Sequence, residues 1–412
     1  MHVQTSRYKD IQEHRHLWTY EDYSEELAKG MEHEAPIIAI LGIGTAVPDF
    51  RLDQADTSQR LADALSNYPD SMRWAKRIFK QCGVETRYTC EPNLLEPASS
   101  CRYFPSRSSD APSTSERMQT YKRESIPLGL EAAKKALAEG QAAASDITHL
   151  ITVSCTGQFL PGMDAALVQG LGLAADVNRI PLQFLGCAAG LKAISLASQI
   201  VSGKPLAKVL IVCVELCTLH IQPSSEKEAL YGASFFGDGA SACLIGCAGA
   251  RHKSIFLLGE ERSVLLPDCA EEMVWEVGNR GFDLYLSPSI PRLLGKLIPG
   301  EVEHFLNGDL QQELWAIHPG GRGIIDTLQD LFGLTGEQTK PSRDVLRQYG
   351  NMSSATLLFV LNEMKLRLIE NRSEVKRGLA LAFGPGLTAE MIKLTYHPSP
   401  TLQEMQNSYA NV

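Results

Sequence analysis

No apolar run in this chain reaches the ~18 residues that a membrane-crossing helix needs, so no stable membrane association is expected. Positive charge is in deficit: 39 Lys and Arg stand against 48 Asp and Glu, a net charge of −9. That balance argues against nucleic acid or an anionic surface as partner, and any polyanionic substrate would need a local basic patch. Cysteine pairs of C-x2-C spacing are missing too. The ten cysteines include the C-x3-C of Cys213 with Cys217, inside an apolar stretch. Core packing is a better reading of it than zinc, and no metal is expected. Unpaired thiols without a signal peptide suggest reduced cysteines and a cytoplasmic location. Gly42-x-Gly44 lacks the third glycine of a dinucleotide fingerprint and Pro48 ends the turn, so a nicotinamide cofactor is not indicated.

What the chain does have fits a large globular protein. Its 412 residues are 44% hydrophobic and 21% charged, enough for one big core or two related halves. Residues 1–35 are polar and read as an N-terminal extension. The fold begins with the strand IIAILGIG from Ile37. Helical patterns follow at 54–65 and 70–82, and the second carries Arg73, Lys76, Arg77 and Lys80 within two turns. On the residues alone this is either a solvated basic face or an anion clamp. Residues 90–115, rich in Ser and Pro, read as a long surface loop, and a long helix is expected over 116–139.

Three stretches carry chemistry. Residues 180–195, IPLQFLGCAAGLKAIS, read as a short buried strand, a Gly-Cys corner and a helix. Cys187 then sits beside unpaired backbone N–H groups and the positive end of a helix dipole, which favour a thiolate. A buried cysteine acting as apolar filler is the alternative on this segment alone. In LWAIHPGGRG an apolar strand ends in His318, and glycines beyond it allow close approach of a ligand. In YGNMSSATLLFVL, Asn351 precedes an apolar helix and alone would read as a cap. Together, Cys187, His318 and Asn351 can supply a nucleophile, a proton acceptor and an oxyanion donor. Asp238, in a GDGA turn, is expected to bond backbone amides rather than react.

At these motifs the chain resembles the type III polyketide synthases of the chalcone synthase superfamily. GCAAG surrounds Cys187, IHPGG surrounds His318, and GNMSSA surrounds Asn351, 33 residues further on. FFGDGA, FGPGLT, GIGTAVP and LPGMD occur in the family's order. The resemblance covers roughly residues 36–396.

It implies an α/β fold: a thiolase-like five-layer αβαβα sandwich from two related halves, 36–250 with the nucleophile and 251–397 with His318 and Asn351. Residues 398–412 remain as a tail. It implies Cys187, His318 and Asn351 as catalytic residues, and Phe236 and Phe282 as gatekeepers. Lys76, Arg77, Lys80, Gly321 and Gly323 are implied to bind coenzyme A; Gln81 stands where a lysine is usual. Cys155, Thr156, Leu160, Cys217, His220, Gly232 and Ser353 are implied to line the cavity. Leu160 replaces a methionine that crosses a dimer interface, so a homodimer is implied. His220 and Cys217 replace threonines, and His220 is expected to plug or orient the cavity.

The substrates implied are an acyl-CoA starter and malonyl-CoA, with no further cofactor, and an α-pyrone or resorcinol-type product. The long loop, the extension and FFGDGA are closer to fungal members, which implies a fatty acyl starter. A single-round ketoacyl-carrier-protein synthase III shares the Cys-His-Asn trio but has an Ala-Asn pair after its histidine and no Gly-Pro-Gly signature. A non-catalytic thiolase-fold interaction protein would be expected to have lost one of the three residues.

Overall fold

The computed structural model describes residues 36–249 and 252–399; the N-terminal extension and nearly all of the tail lie outside the described residues. Among the described residues there are thirteen strands: β1 (Ile38–Ala46), β2 (Phe50–Asp53), β3 (Thr86–Thr89), β4 (His149–Ser154), β5 (Asn178–Gln183), β6 (Val209–Leu216), β7 (Asp238–Cys247), β8 (Ile255–Leu265), β9 (Met273–Gly278), β10 (Gly281–Leu286), β11 (Leu314–Ile317), β12 (Lys376–Gly384) and β13 (Thr388–His397). Nine of them run in the order β11-β12-β13-β8-β1-β7-β6-β4-β5. The junction is thin: β1 and β8 pair only through Ala39 with Leu257 and Ile40 with Phe256. Five strands therefore come from the first half of the chain and four from the second.

Side-chain alternation along these strands builds the layers. On β6, Ile211 and Cys213 face one core while Leu210, Val212 and Val214 face another. The central core joins strands of both halves to the helices Ala189–Gly203 and Thr356–Glu370. An outer core packs Thr114–Glu139 and Met163–Leu171 on the first half. The opposite outer core packs Ile290–Phe305 and Arg322–Phe332 on the second. Helix, sheet, helix, sheet, helix: the five-layer thiolase-like sandwich is present.

Gly42 and Gly44 serve this packing and not a phosphate. A Cβ at Gly42 would stand 2.4 Å from the Ala136 carbonyl oxygen, and one at Gly44 would stand 2.1 Å from that of Ala132. The missing side chains let Thr114–Glu139 lie directly on β1. That helix starts at Thr114, two residues before the expected point, because Ser113 and Glu116 close a capping box.

Two expectations need correction. The strand before Cys187 is not buried: β5 is the sheet's edge, and Asn178, Arg179 and Pro181 are exposed. Nor is 90–115 only a surface loop. Cys101, Tyr103 and Phe104 are buried in a core beneath it, and the Arg117 guanidinium lies 4.8 Å over the Tyr103 ring. Among the described residues, no helix is long and apolar enough to cross a membrane.

Candidate active site

Cys187 lies in a single 3-10 turn, Gly186–Ala188, which runs into the helix Ala189–Gly203 at the centre of the sandwich. It is half-buried and opens into a cavity of about 460 Å3. His318 follows the last residue of β11. Its N–H donates to the Leu381 carbonyl at 2.8 Å, which carries the parallel ladder one residue further and aims the ring into the same cavity. Asn351 lies between the helices Gly336–Tyr349 and Thr356–Glu370, also on the cavity wall. Three loop–element junctions from both halves thus meet in one pocket.

The orientation of the Asn351 amide follows from its partners. Oδ1 accepts the Ser353 N–H at 2.8 Å, so it satisfies the local backbone as an Asx turn would. Nδ2 then faces the other way and has one long bond, 3.3 Å, to the Gly320 carbonyl. A donor is left beside Cys187, the arrangement that stabilises developing negative charge on oxygen.

Burial works against a thiolate–imidazolium pair of Cys187 with His318. Both ring nitrogens of His318 are buried without a hydrogen-bond partner, and desolvation pulls its pKa down to about 3. Desolvation likewise pushes the Cys187 thiol up to about 11, against the opposing pull of hydrogen bonds from Ser353 and Asn351. Helix-end donors are too weak to offset removal from water. Desolvation favours the neutral forms of both side chains, and the unpartnered His318 nitrogens leave room for a proton.

Beside the trio lies a residue that the sequence reading missed. Glu215, fully buried at the end of β6, accepts from the Cys155 N–H at 3.1 Å, the Thr156 hydroxyl at 2.7 Å and the Ser354 hydroxyl. It joins the strand ends of the first half to the Asn351 segment of the second. Burial raises its pKa. A glutamate closing an otherwise apolar strand, KVLIVCVE, was the available signal.

The sequence profile of the chalcone and stilbene synthase N-terminal domain matches residues 25–249, and that of the C-terminal domain matches 260–397. The chain belongs to the chalcone and stilbene synthase family. It is a type III polyketide synthase, an acyltransferase that condenses acyl units. The reading as a ketoacyl-carrier-protein synthase III is thereby set aside.

The "Alpha-pyrone synthesis polyketide synthase-like Pks18" of Mycobacterium tuberculosis is 31% identical over 361 residues, 86% of this chain and 90% of that protein. "Probable polyketide synthase 1" of Dictyostelium discoideum is 30% identical over 363 residues, 85% of this chain but 11% of that protein's length. Among solved structures, the C-terminal type III polyketide synthase domain of Steely1 from Dictyostelium superposes with a TM-score of 0.79 at 28% identity, covering 87% of this chain and 99% of that one. PKS-I of the brown alga Ectocarpus siliculosus gives 0.81 at 26%, covering 89% and 100%.

The other sequence-expected residues of the synthase divide sharply. Phe236, Cys155, Thr156, Cys217, Ser353, Gly321 and Gly323 lie on the cavity wall. Phe282 does not: it is buried, and its ring stacks on His220 at 4.3 Å. His220 is also off the wall. Its Nδ1 accepts the Phe282 N–H at 2.9 Å and its Nε2 donates to the Thr156 carbonyl at 2.6 Å, so it is a satisfied core histidine and not a plug. Gly232 stands beside the wall residue Tyr231 without lining the cavity itself, and Leu160 points away, 92% exposed.

Lys76, Arg77 and Lys80 are exposed on the helix Pro69–Gln81 and outside the cavity, while Trp74 and Ile78 of that helix form part of its wall. Arg73 is paired with Asp70. Asp238 does bond backbone amides, those of Cys90 at 2.9 Å and Thr218 at 2.7 Å. Missed wall residues include Phe184, Lys227 and, on the β9–β10 hairpin, Met273, Trp275, Leu284 and Leu286.

Proposed function

We propose that the synthase loads an acyl group from an acyl-CoA onto Cys187, extends it with malonyl-CoA, and releases an α-pyrone or resorcinol-type product. The observation that carries this reading is the convergence of Cys187, His318 and Asn351 on one largely apolar cavity. His318, neutral and unpartnered, takes the Cys187 proton as sulfur attacks the thioester carbonyl, and the CoA thiolate leaves with that proton. Malonyl-CoA then loses CO2. The enolate oxygen accepts hydrogen bonds from Asn351 Nδ2 and the His318 N–H, and the carbanion attacks the Cys187 thioester. No metal or nicotinamide takes part.

An apolar cavity suits an aliphatic starter, and a relative of 31% identity is named for α-pyrone synthesis. Exposed Lys76, Arg77 and Lys80 on the helix whose Trp74 and Ile78 form part of the wall support binding of the CoA phosphates by this helix, and the wall glycines Gly321 and Gly323 support approach of the pantetheine to the backbone. Exposed Leu160, together with exposed Phe184 and Leu185 directly after the edge strand β5, favours a homodimer. The site of action is the cytoplasm.

The test is to incubate the purified enzyme with malonyl-CoA and saturated acyl-CoAs of graded length and to identify products by mass. Pyrones or resorcinols carrying the supplied chain are expected. Formation of only a single β-ketoacyl extension would contradict the proposal.

A further inference from the structure

The helix Lys227–Phe235 stops just before the wall residue Phe236, and the four carbonyls of its last turn have no partner within the helix. The Gly232 carbonyl takes the cap N–H of Phe236 at 3.4 Å. The other three are met from elsewhere in the fold. Gln54 Nε2 donates to the Ser234 carbonyl at 2.6 Å, and the Asn351 N–H donates to that of Phe235 at 2.8 Å. The Ala233 carbonyl falls to Arg87, whose Nη1 reaches it at 2.8 Å and reaches the Phe236 carbonyl at 2.7 Å. The main chain of Asn351 therefore hangs from a helix end that Arg87 grips on both sides.

Arg87 comes from β3, in the small β2–β3 sheet outside the main one, and it is fully buried. Burial pulls the guanidinium down to about 10, against the opposing pull of Cys82 and Asp238, so it stays charged near neutrality. Its Nε and Nη2 have no hydrogen-bond partner. Asp238 uses its oxygens for the Cys90 and Thr218 amides instead. A buried charge with unpaired donors destabilises, and an apolar side chain of similar length would fill the space without that penalty. Stability does not account for an arginine here.

Two properties of the guanidinium do. A cation at a helix C-terminus is favoured by the helix dipole, and a donor fork can bridge two carbonyls that a point contact cannot. The stem adds a third hold, packing on Gly350 where a Cβ would stand 3.0 Å from its Cγ.

We propose that Arg87 is a positioning residue for decarboxylation: it fixes the helix end from which Asn351 hangs and, with it, the amide that meets the enolate oxygen. The inference rests on the function proposed above. Arg87 itself is off the cavity wall and acts only through the main chain.

The test compares Arg87→Met and Arg87→Lys with wild type in two half-reactions, acyl loading of Cys187 and release of labelled CO2 from malonyl-CoA. In Arg87→Met the stem remains and the grip is lost. CO2 release is expected to fall about 10- to 100-fold through kcat, the scale of a small misplacement of a reacting group, while loading changes little. The melting temperature should hold or rise, because the unpaired donors and the buried charge are gone. Arg87→Lys keeps the cation and one donor group, and it should recover part of the lost CO2 release.

Should Arg87→Met fail to fold, Arg87→Lys decides by its ratio of CO2 release to loading. A folded variant with the wild-type ratio would overturn the assignment, as would a lower melting temperature with both half-reactions reduced alike. Failure of the underlying reading looks different: wild-type protein would then neither take up an acyl group nor release CO2.

Discussion

Phe236 and Asn351, 115 positions apart in sequence, form a parallel backbone bridge: the Asn351 N–H donates to the Phe235 carbonyl at 2.8 Å, and the Gly237 N–H donates to the Asn351 carbonyl at 3.0 Å. The aromatic wall of the first half and the amide donor of the second are therefore fixed to each other through the main chain. Neither can shift without the other.

Gly350 makes the bridge possible. Its φ is +70°, and a Cβ there would stand 2.3 Å from the Phe235 carbonyl oxygen. Gly350→Ala is expected to cost about 1–3 kcal/mol of backbone strain and to lower condensation by displacing the amide. Thermal unfolding together with steady-state turnover checks this. Wild-type values for both would show that the bridge positions nothing.

Asn351→Ala should impair decarboxylation more than loading. The amide donor faces the pocket where the enolate oxygen forms, and loss of such a donor costs about two to three powers of ten. Rapid-quench loading of an acyl-CoA and release of labelled CO2 from malonyl-CoA separate the half-reactions. Equal losses would make Asn351 a structural residue.

Cys187 should behave as a high-pKa thiol when the pocket is empty. With its value pushed up to about 11, the thiolate fraction keeps rising with pH well past the ~8.5 of a free cysteine. Iodoacetamide inactivation should climb across that range without a plateau near neutrality. A plateau below the free-thiol value would restore the thiolate–imidazolium pair.

Glu215 should leave a signature in stability against pH. A carboxyl whose folded pKa is raised keeps its proton where the unfolded chain has lost it, so stability falls as pH rises from the unfolded value of 4.5 through the folded one. Glu215→Gln removes that decline. Urea midpoints for wild type and variant, compared between about pH 4 and pH 8, should have different slopes. Parallel curves would mean that Glu215 stays charged in the native state.

The trio was legible because each member sits in a short motif at the end of an element, where glycines and apolar runs mark the junction. The layering was legible for a related reason: strands and helices alternate, and the strand repeat is two. Side-chain direction was not. Phe282 and His220 occupy sequence positions that suggest the cavity, yet each satisfies the other first, by stacking and a backbone hydrogen bond. Trp275 was invisible because it reaches the pocket from a hairpin outside the main sheet. The residues before Cys187 read as a buried strand since they are apolar, whereas topology puts them on an edge. The electrostatic expectation weighed a local helix terminus without the burial that the two halves impose, and burial acts in the opposite direction.

The central claim is that Cys187 carries the growing chain, and intact-protein mass spectrometry after exposure to the acyl-CoA panel tests it most directly. Wild type should gain one acyl mass, mapped by peptide digestion to Cys187 and discharged by malonyl-CoA; Cys187→Ala should gain none and make no product. Cys155 and Cys217 share the cavity, so an acyl group on either of them, with turnover surviving in Cys187→Ala, would contradict the account.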